Sequence, residues 1–176
     1  MAAAEKYREP RAHALRAQYL ERFGGEEIPV PVEAIAEDLL GLRVEETWDM
    51  SYSGMLFPAE RKILLNAAEA PQDAAPLRRF RFTIAHEVGH WVCHVLGAAR
   101  AEPVLCRAKD ISEDADRALE REANVFAAEL LMPEPAVRDA WAELGDVAGC
   151  AAHFEVSPTA MQWRLYSFGF SEQPTT

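Results

Sequence analysis

The five residues His-Glu-Val-Gly-His, at positions 86–90, constrain this chain more than any other feature of its sequence. They lie in an apolar, helix-compatible stretch, and we expect a buried helix from about residue 77 to residue 96. Residues four apart share one helical face and lie about 5–6 Å from each other. His86 and His90 can therefore bind one metal ion, each at about 2.1 Å. Glu87 then lies beside the ion, where it can exchange protons with water and with a leaving amine.

Other residues of this predicted helix are weaker ligand candidates. His94 lies about 12 Å along the helix from His86, at 1.5 Å per residue, so one ion cannot join both. Cys93 faces the side of the two histidines, but we interpret it as a small buried side chain, with thiol ligation as the less favoured alternative. Gly89 costs a helix about 1 kcal/mol, so we expect it to allow close approach of a neighbouring backbone.

A third ligand is expected from a second long helix, predicted from about residue 114 to residue 132. Glu120 and Glu122 flank the apolar stripe of this helix on opposite sides. Asn124 lies one turn after Glu120, where an amide can orient a metal ligand. Residue chemistry thus favours Glu120 and leaves Glu122 open. Glu129, farther along, is interpreted as solvated surface charge.

The remaining pattern predicts an α+β fold, with helices, a small antiparallel sheet and then more helices. Pro58-Ala59-Glu60 predicts a hairpin between two of the strands. The expected elements are helices at 11–23 and 32–40, strands at 42–48, 53–58 and 61–66, and three short helices within 136–170.

Composition narrows the functional classes. The 176 residues suit one domain, or one domain with a small appended module. The net charge of -11 opposes binding to nucleic acid and to anionic lipid. Three cysteines are too few for a disulfide scaffold, the first residues have no apolar signal core, and no apolar run approaches the roughly 18 residues that span a bilayer. We expect a cytoplasmic protein, and the sequence gives no indication of its oligomeric state.

Residues 150–165 have the spacing of a helix-turn-helix, in which Ser157 can cap the second helix. Its predicted outward residues are Thr159, Gln162 and Arg164, and only one of them is basic. We therefore interpret this segment as a packing or docking module, because a DNA-reading helix needs more positive charge.

Two motifs together make the chain resemble the ImmA/IrrE family of metallopeptidases. These are RFTIAHEVGHWVCH and, downstream, EREANVFAAELLMP. The similarity extends upstream to SGMLFPAERKILLN and downstream to VAGCAAHFEVSPTAMQWRLYSFG, so it covers most of residues 28–170. The chain ends soon after this region, which we interpret as a stand-alone form without the C-terminal sensor domain of some members.

The resemblance implies a zincin-like metallopeptidase domain with an active-site helix and a glutamate helix. Carried over, the metal ligands are His86, His90 and Glu120, with Glu87 as catalytic acid and base and Asn124 supporting a ligand. One divalent ion is expected, with Zn²⁺ favoured and Mn²⁺ or Fe²⁺ as alternatives. The expected organisation is a metallopeptidase domain with N-terminal helices at 1–135, the helix-turn-helix-like segment at 136–170 and a frayed tail at 171–176.

The family activity implies an endopeptidase that cleaves a helix-turn-helix repressor and thereby derepresses stress-response or mobile-element genes. The alternatives are a DNA-binding regulator with a structural metal, and a regulator that sequesters a repressor without cleaving it. If strand 62–66 is an edge strand, it can align a peptide substrate by strand addition. The predicted substrate contacts are Lys62, Ile63, Leu64, Leu65, Asn66 and Arg81.

Overall fold

The structure is a computed structural model, and it describes residues 9–25, 27–69, 76–96, 104–105 and 114–174. Seven α-helices and four strands lie within these residues. The helices are α1 (Pro10–Phe23), α2 (Val32–Ala34, continued by a π-helical turn at Ile35–Leu39), α3 (Pro76–His90, continued by a π-helical turn at Trp91–Val95), α4 (Asp114–Leu131), α5 (Glu134–Leu144), α6 (Val147–His153) and α7 (Pro158–Ser167). The strands are β1 (Arg43–Thr47), β2 (Gly54–Phe57), β3 (Lys62–Asn66) and β4 (Val104–Leu105). The predicted α+β class is confirmed.

The four strands form one sheet in the order β1-β3-β2-β4. Strands β2 and β3 pair antiparallel, which confirms the predicted hairpin, and β4 pairs antiparallel with β2. The prediction of a fully antiparallel sheet is wrong in one pair, because β1 runs parallel to β3 with Arg43 opposite Lys62. Strand β2 occupies one edge of β3, and β1 pairs with the opposite edge.

The predicted long helix ends in a different conformation from the one expected. Regular α-helix stops at His90, and the next turn is π-helical, closed by a 2.8 Å hydrogen bond from the Leu96 nitrogen to the Trp91 oxygen. One extra residue in this turn changes where the side chains of Cys93 and His94 point relative to the preceding helix.

Helices α3 and α4 pack together unusually closely at Gly89. A Cβ atom at Gly89 would lie 3.1 Å from the Ala123 carbonyl oxygen and 3.2 Å from the Ala123 Cα. The expectation that this glycine admits a neighbouring backbone is therefore confirmed. Phe126 and Ala127 on α4 are fully buried, as the predicted apolar stripe requires.

The helix-turn-helix-like segment consists of α6, a turn and α7. Asp146 and Ser157 cap the two helices through hydrogen bonds of 2.8 and 3.1 Å to backbone nitrogens. Glu155 in the turn has a φ of 52°, so it takes a conformation that glycine adopts more readily.

A buried ion pair joins α7 to α4. Arg164 is only 3% exposed, donates to the Met132 oxygen at 2.8 Å and pairs with Glu129, which is 8% exposed. Two predictions are wrong here, since Arg164 does not face outward and Glu129 is not solvated. Each charge can be buried because the other neutralises it. Helical periodicity does not reveal such a pair, because its two residues lie on different helices.

No helix among the described residues combines the length and the apolar character that crossing a membrane requires.

Candidate active site

Two histidines and one carboxylate converge where α3 and α4 pack together. The Nε2 atoms of His86 and His90 lie 3.0 Å apart. Glu120 approaches both rings, with Oε2 at 3.3 Å from His86 Nε2 and Oε1 at 3.0 Å from His90 Nε2. His86 and His90 are 4% and 0% exposed, so the cluster is closed to bulk water except on the glutamate side.

Asn124 contacts the second ring nitrogen of His86. Its Oδ1 lies 3.1 Å from His86 Nδ1. Because a carboxamide oxygen only accepts hydrogen bonds, His86 Nδ1 carries the proton and its Nε2 keeps a lone pair. That lone pair points toward His90 and Glu120, which is the orientation that a metal ligand needs.

The charges of the cluster are strongly coupled. Burial alone would raise the pKa of Glu120, but hydrogen bonds and charge from His86 and His90 outweigh it and lower that pKa to about 2. Burial opposes a charge on either ring, yet Glu120 and the charge of Glu87 raise the pKa of His86. The pKa of His90 is lowered by burial and also by the charge of His86. Glu120 is thus held as a carboxylate, which attracts positive charge beside the two rings.

The donor set fits a divalent cation. Three atoms, two imidazole nitrogens and one carboxylate oxygen, lie within 4.8 Å of one another. Lone pairs that face each other at such distances repel unless a proton or a cation lies between them. Two imidazoles and a carboxylate suit Zn²⁺, and they also suit Fe²⁺ or Mn²⁺.

Glu87 lies fully buried on the β2 side of α3. A Cβ atom at Gly54, the first residue of β2, would lie 3.0 Å from Glu87 Oε1 and 2.5 Å from Thr83 Cγ2. The strand can approach Glu87 this closely only because residue 54 has no side chain. Sequence reasoning missed Gly54, although a glycine within a strand pattern is a recognised sign of close approach.

Glu122 belongs to a different cluster. Its Oε2 lies 3.2 Å from His94 Nε2, and its Oε1 accepts a hydrogen bond from Arg11 of α1. Arg11 also pairs with Glu9 at 2.8 Å. The structure therefore places Glu120, and not Glu122, beside the two candidate histidine ligands. Neither Arg11 nor Glu9 was singled out from the sequence, because Glu122, the residue that Arg11 contacts in this cluster, lies 111 positions farther along the chain.

Cys93 lies in this second cluster and not in the first. Its sulfur and one carboxylate oxygen each of Glu9 and Glu122 lie within 4.8 Å of one another. Burial, with a smaller opposing effect of the Arg11 charge, raises the pKa of the thiol to about 12. Because Cys93 does not join His86, His90 and Glu120, the alternative of this thiol as a ligand of their ion loses its support.

The predicted substrate strand is in the wrong place for strand addition. Strand β3 lies between β1 and β2, so both of its edges are already hydrogen-bonded. Within it Ile63, Leu65 and Asn66 are buried, and Asn66 donates to the Met50 oxygen at 2.9 Å. The prediction for residues 62–66, which are Lys62, Ile63, Leu64, Leu65 and Asn66, is therefore wrong in its geometry. Their hydrophobic alternation reflects a central strand packed against helices.

Arg81 also contacts other parts of this chain. Its guanidinium donates to the Val30 oxygen at 2.8 Å and lies 3.6 Å from the Glu155 carboxylate. It links α3 to the loop before α2 and to the turn between α6 and α7. Sequence could not reveal this structural role, because both partners are distant along the chain, and the predicted contact of Arg81 with substrate stays a prediction.

Comparison with known proteins gives a consistent result. The peptidase M78 family, described as the IrrE N-terminal-like domain, matches residues 42–166. The radiation response metalloprotease IrrE of Deinococcus radiodurans is 32% identical over 118 residues, which are 64% of this chain and 33% of that protein. The chain thus spans about a third of the length of this curated relative. A Mycobacterium tuberculosis transcriptional regulator shares the fold, with a TM-score of 0.61 and 16% identity over 94% of this chain and 51% of that one.

Proposed function

The chain belongs to the ImmA/IrrE family of metallopeptidases, and from that premise we propose that it is a metal-dependent endopeptidase acting on a helix-turn-helix transcriptional repressor. Cleavage of the repressor would release stress-response or mobile-element genes from repression. The observation that carries the proposal is the convergence of His86, His90 and Glu120 at the packed junction of α3 and α4.

These three residues are the proposed metal ligands, and Asn124 supports the first of them. They would hold a divalent cation, which would supply Lewis-acid chemistry toward a peptide carbonyl and toward water. Zn²⁺ is the favoured ion because it combines readily with two imidazoles and a carboxylate.

Glu87 is the proposed acid and base. It neighbours His86 in the chain and is shielded from bulk water, so its carboxylate can take a proton from an attacking water molecule. Transfer of that proton to the nitrogen of the departing amine restores the carboxylate. Gly54 keeps β2 close to this carboxylate and limits the space in which it can rotate.

A DNA-binding role has less support than a protein-cleaving one. Residues 147–167 are all described, and their one Lys or Arg residue, Arg164, is buried against Glu129. The helix that would read DNA therefore has no exposed basic side chain, and the chain as a whole carries a charge of -11. Such a surface repels the phosphate backbone on which DNA affinity depends.

The experiment is to incubate the Zn²⁺-loaded protein with a purified helix-turn-helix repressor, and separately with casein, and to map fragments by mass spectrometry. We expect one cut in the repressor and little cleavage of casein, because selectivity should come from docking of a folded partner. Extensive degradation of casein with the repressor left whole would contradict the regulatory role. DNA binding at physiological salt, without any cleavage, would favour the alternative regulator.

A further inference from the structure

A groove of about 500 Å³ lies between α4 and α7 and begins at the candidate metal centre. Glu120, which contacts both histidines, and Asn124, which contacts His86, also line this groove. Met132 lines it too, twelve positions after Glu120. Twelve residues of α-helix rise about 18 Å, which matches about five residues of extended peptide.

The α7 side of the groove is aromatic and exposed. Trp163 and Tyr166 are 42% and 37% exposed, and their rings meet edge to face with centroids 5.9 Å apart. Val125 and Ala128 of α4 continue the apolar lining. Half-exposed aromatic rings beside a concave apolar surface are typical of a site that receives a large apolar side chain.

The α4 side carries two positive charges. Arg117 and Arg121 are one helical turn apart, both are exposed, and both line the groove at the end that holds Glu120. Positive charge concentrated in this place contrasts with the net charge of -11 of the whole chain. It favours a carboxylate in the occupant, since guanidinium groups bind carboxylates with charge-assisted hydrogen bonds.

We propose that the groove between α4 and α7 is the substrate-binding cleft. It takes an extended segment of the protein substrate with a large apolar residue against Trp163 and Tyr166 and an acidic residue against Arg117 and Arg121. The inference rests on the proposed endopeptidase function, because that function requires an extended chain to pass the candidate metal centre.

The test measures binding separately from cleavage. The probes are four fluorescein-labelled peptides on a common Gly-Ser-Ala background that carry Leu-Glu, Leu-Lys, Ser-Glu or Ser-Lys at the centre. Their affinities are measured by fluorescence anisotropy on the Zn²⁺-loaded Glu87→Gln variant. We expect the Leu-Glu peptide to bind about tenfold or more tightly than the Ser-Lys peptide.

Two groove variants and two matched controls locate the preference. Trp163→Ala should abolish the preference for Leu over Ser, and Arg121→Glu should abolish or invert the preference for Glu over Lys. Trp48→Ala and Arg22→Glu alter an exposed tryptophan and an exposed helical arginine outside the groove, so both preferences should persist. Thermal unfolding and Zn²⁺ content are measured for each variant, and the Arg121→Glu result stands by itself if Trp163→Ala unfolds.

The outcomes separate this inference from the proposed function. If the groove variants keep both preferences, or if none of the four peptides binds, the groove is not the substrate cleft. If the unmodified protein cleaves a repressor but the groove variants do not change peptide binding, the inference is wrong and the proposed function stands. Selective binding sensitive to both groove variants, with no cleavage by the unmodified protein, would support the groove and contradict the endopeptidase.

Discussion

Neighbouring residues of the motif at 86–90 have different proposed tasks, and their surroundings differ accordingly. His86 and His90 face α4 and the carboxylate of Glu120, whereas Glu87 faces the start of β2 at Gly54. A ligand change should therefore act on metal binding, and a change of Glu87 should act on chemistry. The two effects can be measured separately.

Glu87→Gln should leave the bound ion in place and lower cleavage by roughly 10²–10⁴, the usual contribution of general acid–base catalysis. Glutamine keeps the size of the side chain but cannot accept the proton. The measurements are metal content and the initial rate of repressor cleavage, with Glu143→Gln, an exposed site on α5, as the control. A variant that cleaves at nearly the normal rate would rule out Glu87 as the base.

Between elements, the contact of α3 with α4 determines where Glu120 stands relative to the histidines. Gly89 permits this contact, because any side chain there meets the backbone of Ala123. The backbone cannot rotate away as a flexible side chain can. The separation of the two helices should therefore be sensitive to a single methyl group.

Gly89→Ala should gain about 1 kcal/mol of helix propensity but lose about 1–3 kcal/mol to overpacking. The free energy of unfolding should therefore fall by no more than about 2 kcal/mol, whereas Zn²⁺ affinity should fall by roughly tenfold because Glu120 moves away from the rings. Isothermal titration with Zn²⁺ measures this effect. Gly149→Ala is the control, since the nearest atoms that its new methyl meets belong to the side chain of Asp146, which can shift, and not to a backbone. Equal affinity losses in both variants would contradict the packing argument.

Local sequence predicts the site better than it predicts the pairing of elements. The spacing of His86 and His90 fixes their common helical face, and the amide at Asn124 favours Glu120 as the third ligand without excluding Glu122. The sequence does not show whether β3 is a central or an edge strand, because an apolar strand has the same residue pattern at the centre of a sheet and at a covered edge. The contact of Arg11 with Glu122 likewise depends on a partner far away in the chain.

For the molecule as a whole, a buried ion pair connects the glutamate helix to the helix-turn-helix-like segment. Arg164 and Glu129 are exposed at 2% and 10% of their side chains, so solvent screens them little. Arg164 also donates to the backbone oxygen of Met132, the residue that follows α4. The pair therefore holds α7 beside α4, and the groove between them depends on it.

Glu129→Gln should lower the free energy of unfolding by about 3–5 kcal/mol, because it leaves the Arg164 charge buried without its counterion. Urea titration followed by circular dichroism measures the loss. Glu134→Gln is the control, since Glu134 pairs with the half-exposed Arg138 four residues away and such pairs contribute about 0.3–0.5 kcal/mol. Similar losses in the two variants would show that the Arg164–Glu129 pair does not hold α7 beside α4.

The central claim is that His86, His90 and Glu120 hold one divalent ion. Its most direct test is the metal content of the purified protein after dialysis against Zn²⁺, measured by mass spectrometry for the unmodified chain, Glu120→Gln and Glu122→Gln. Both changes remove a carboxylate from α4, but only Glu120 contacts the two histidines. We predict one ion per chain in the unmodified protein and in Glu122→Gln, and loss of the ion in Glu120→Gln. Retention of the ion by Glu120→Gln together with its loss from Glu122→Gln would contradict the account.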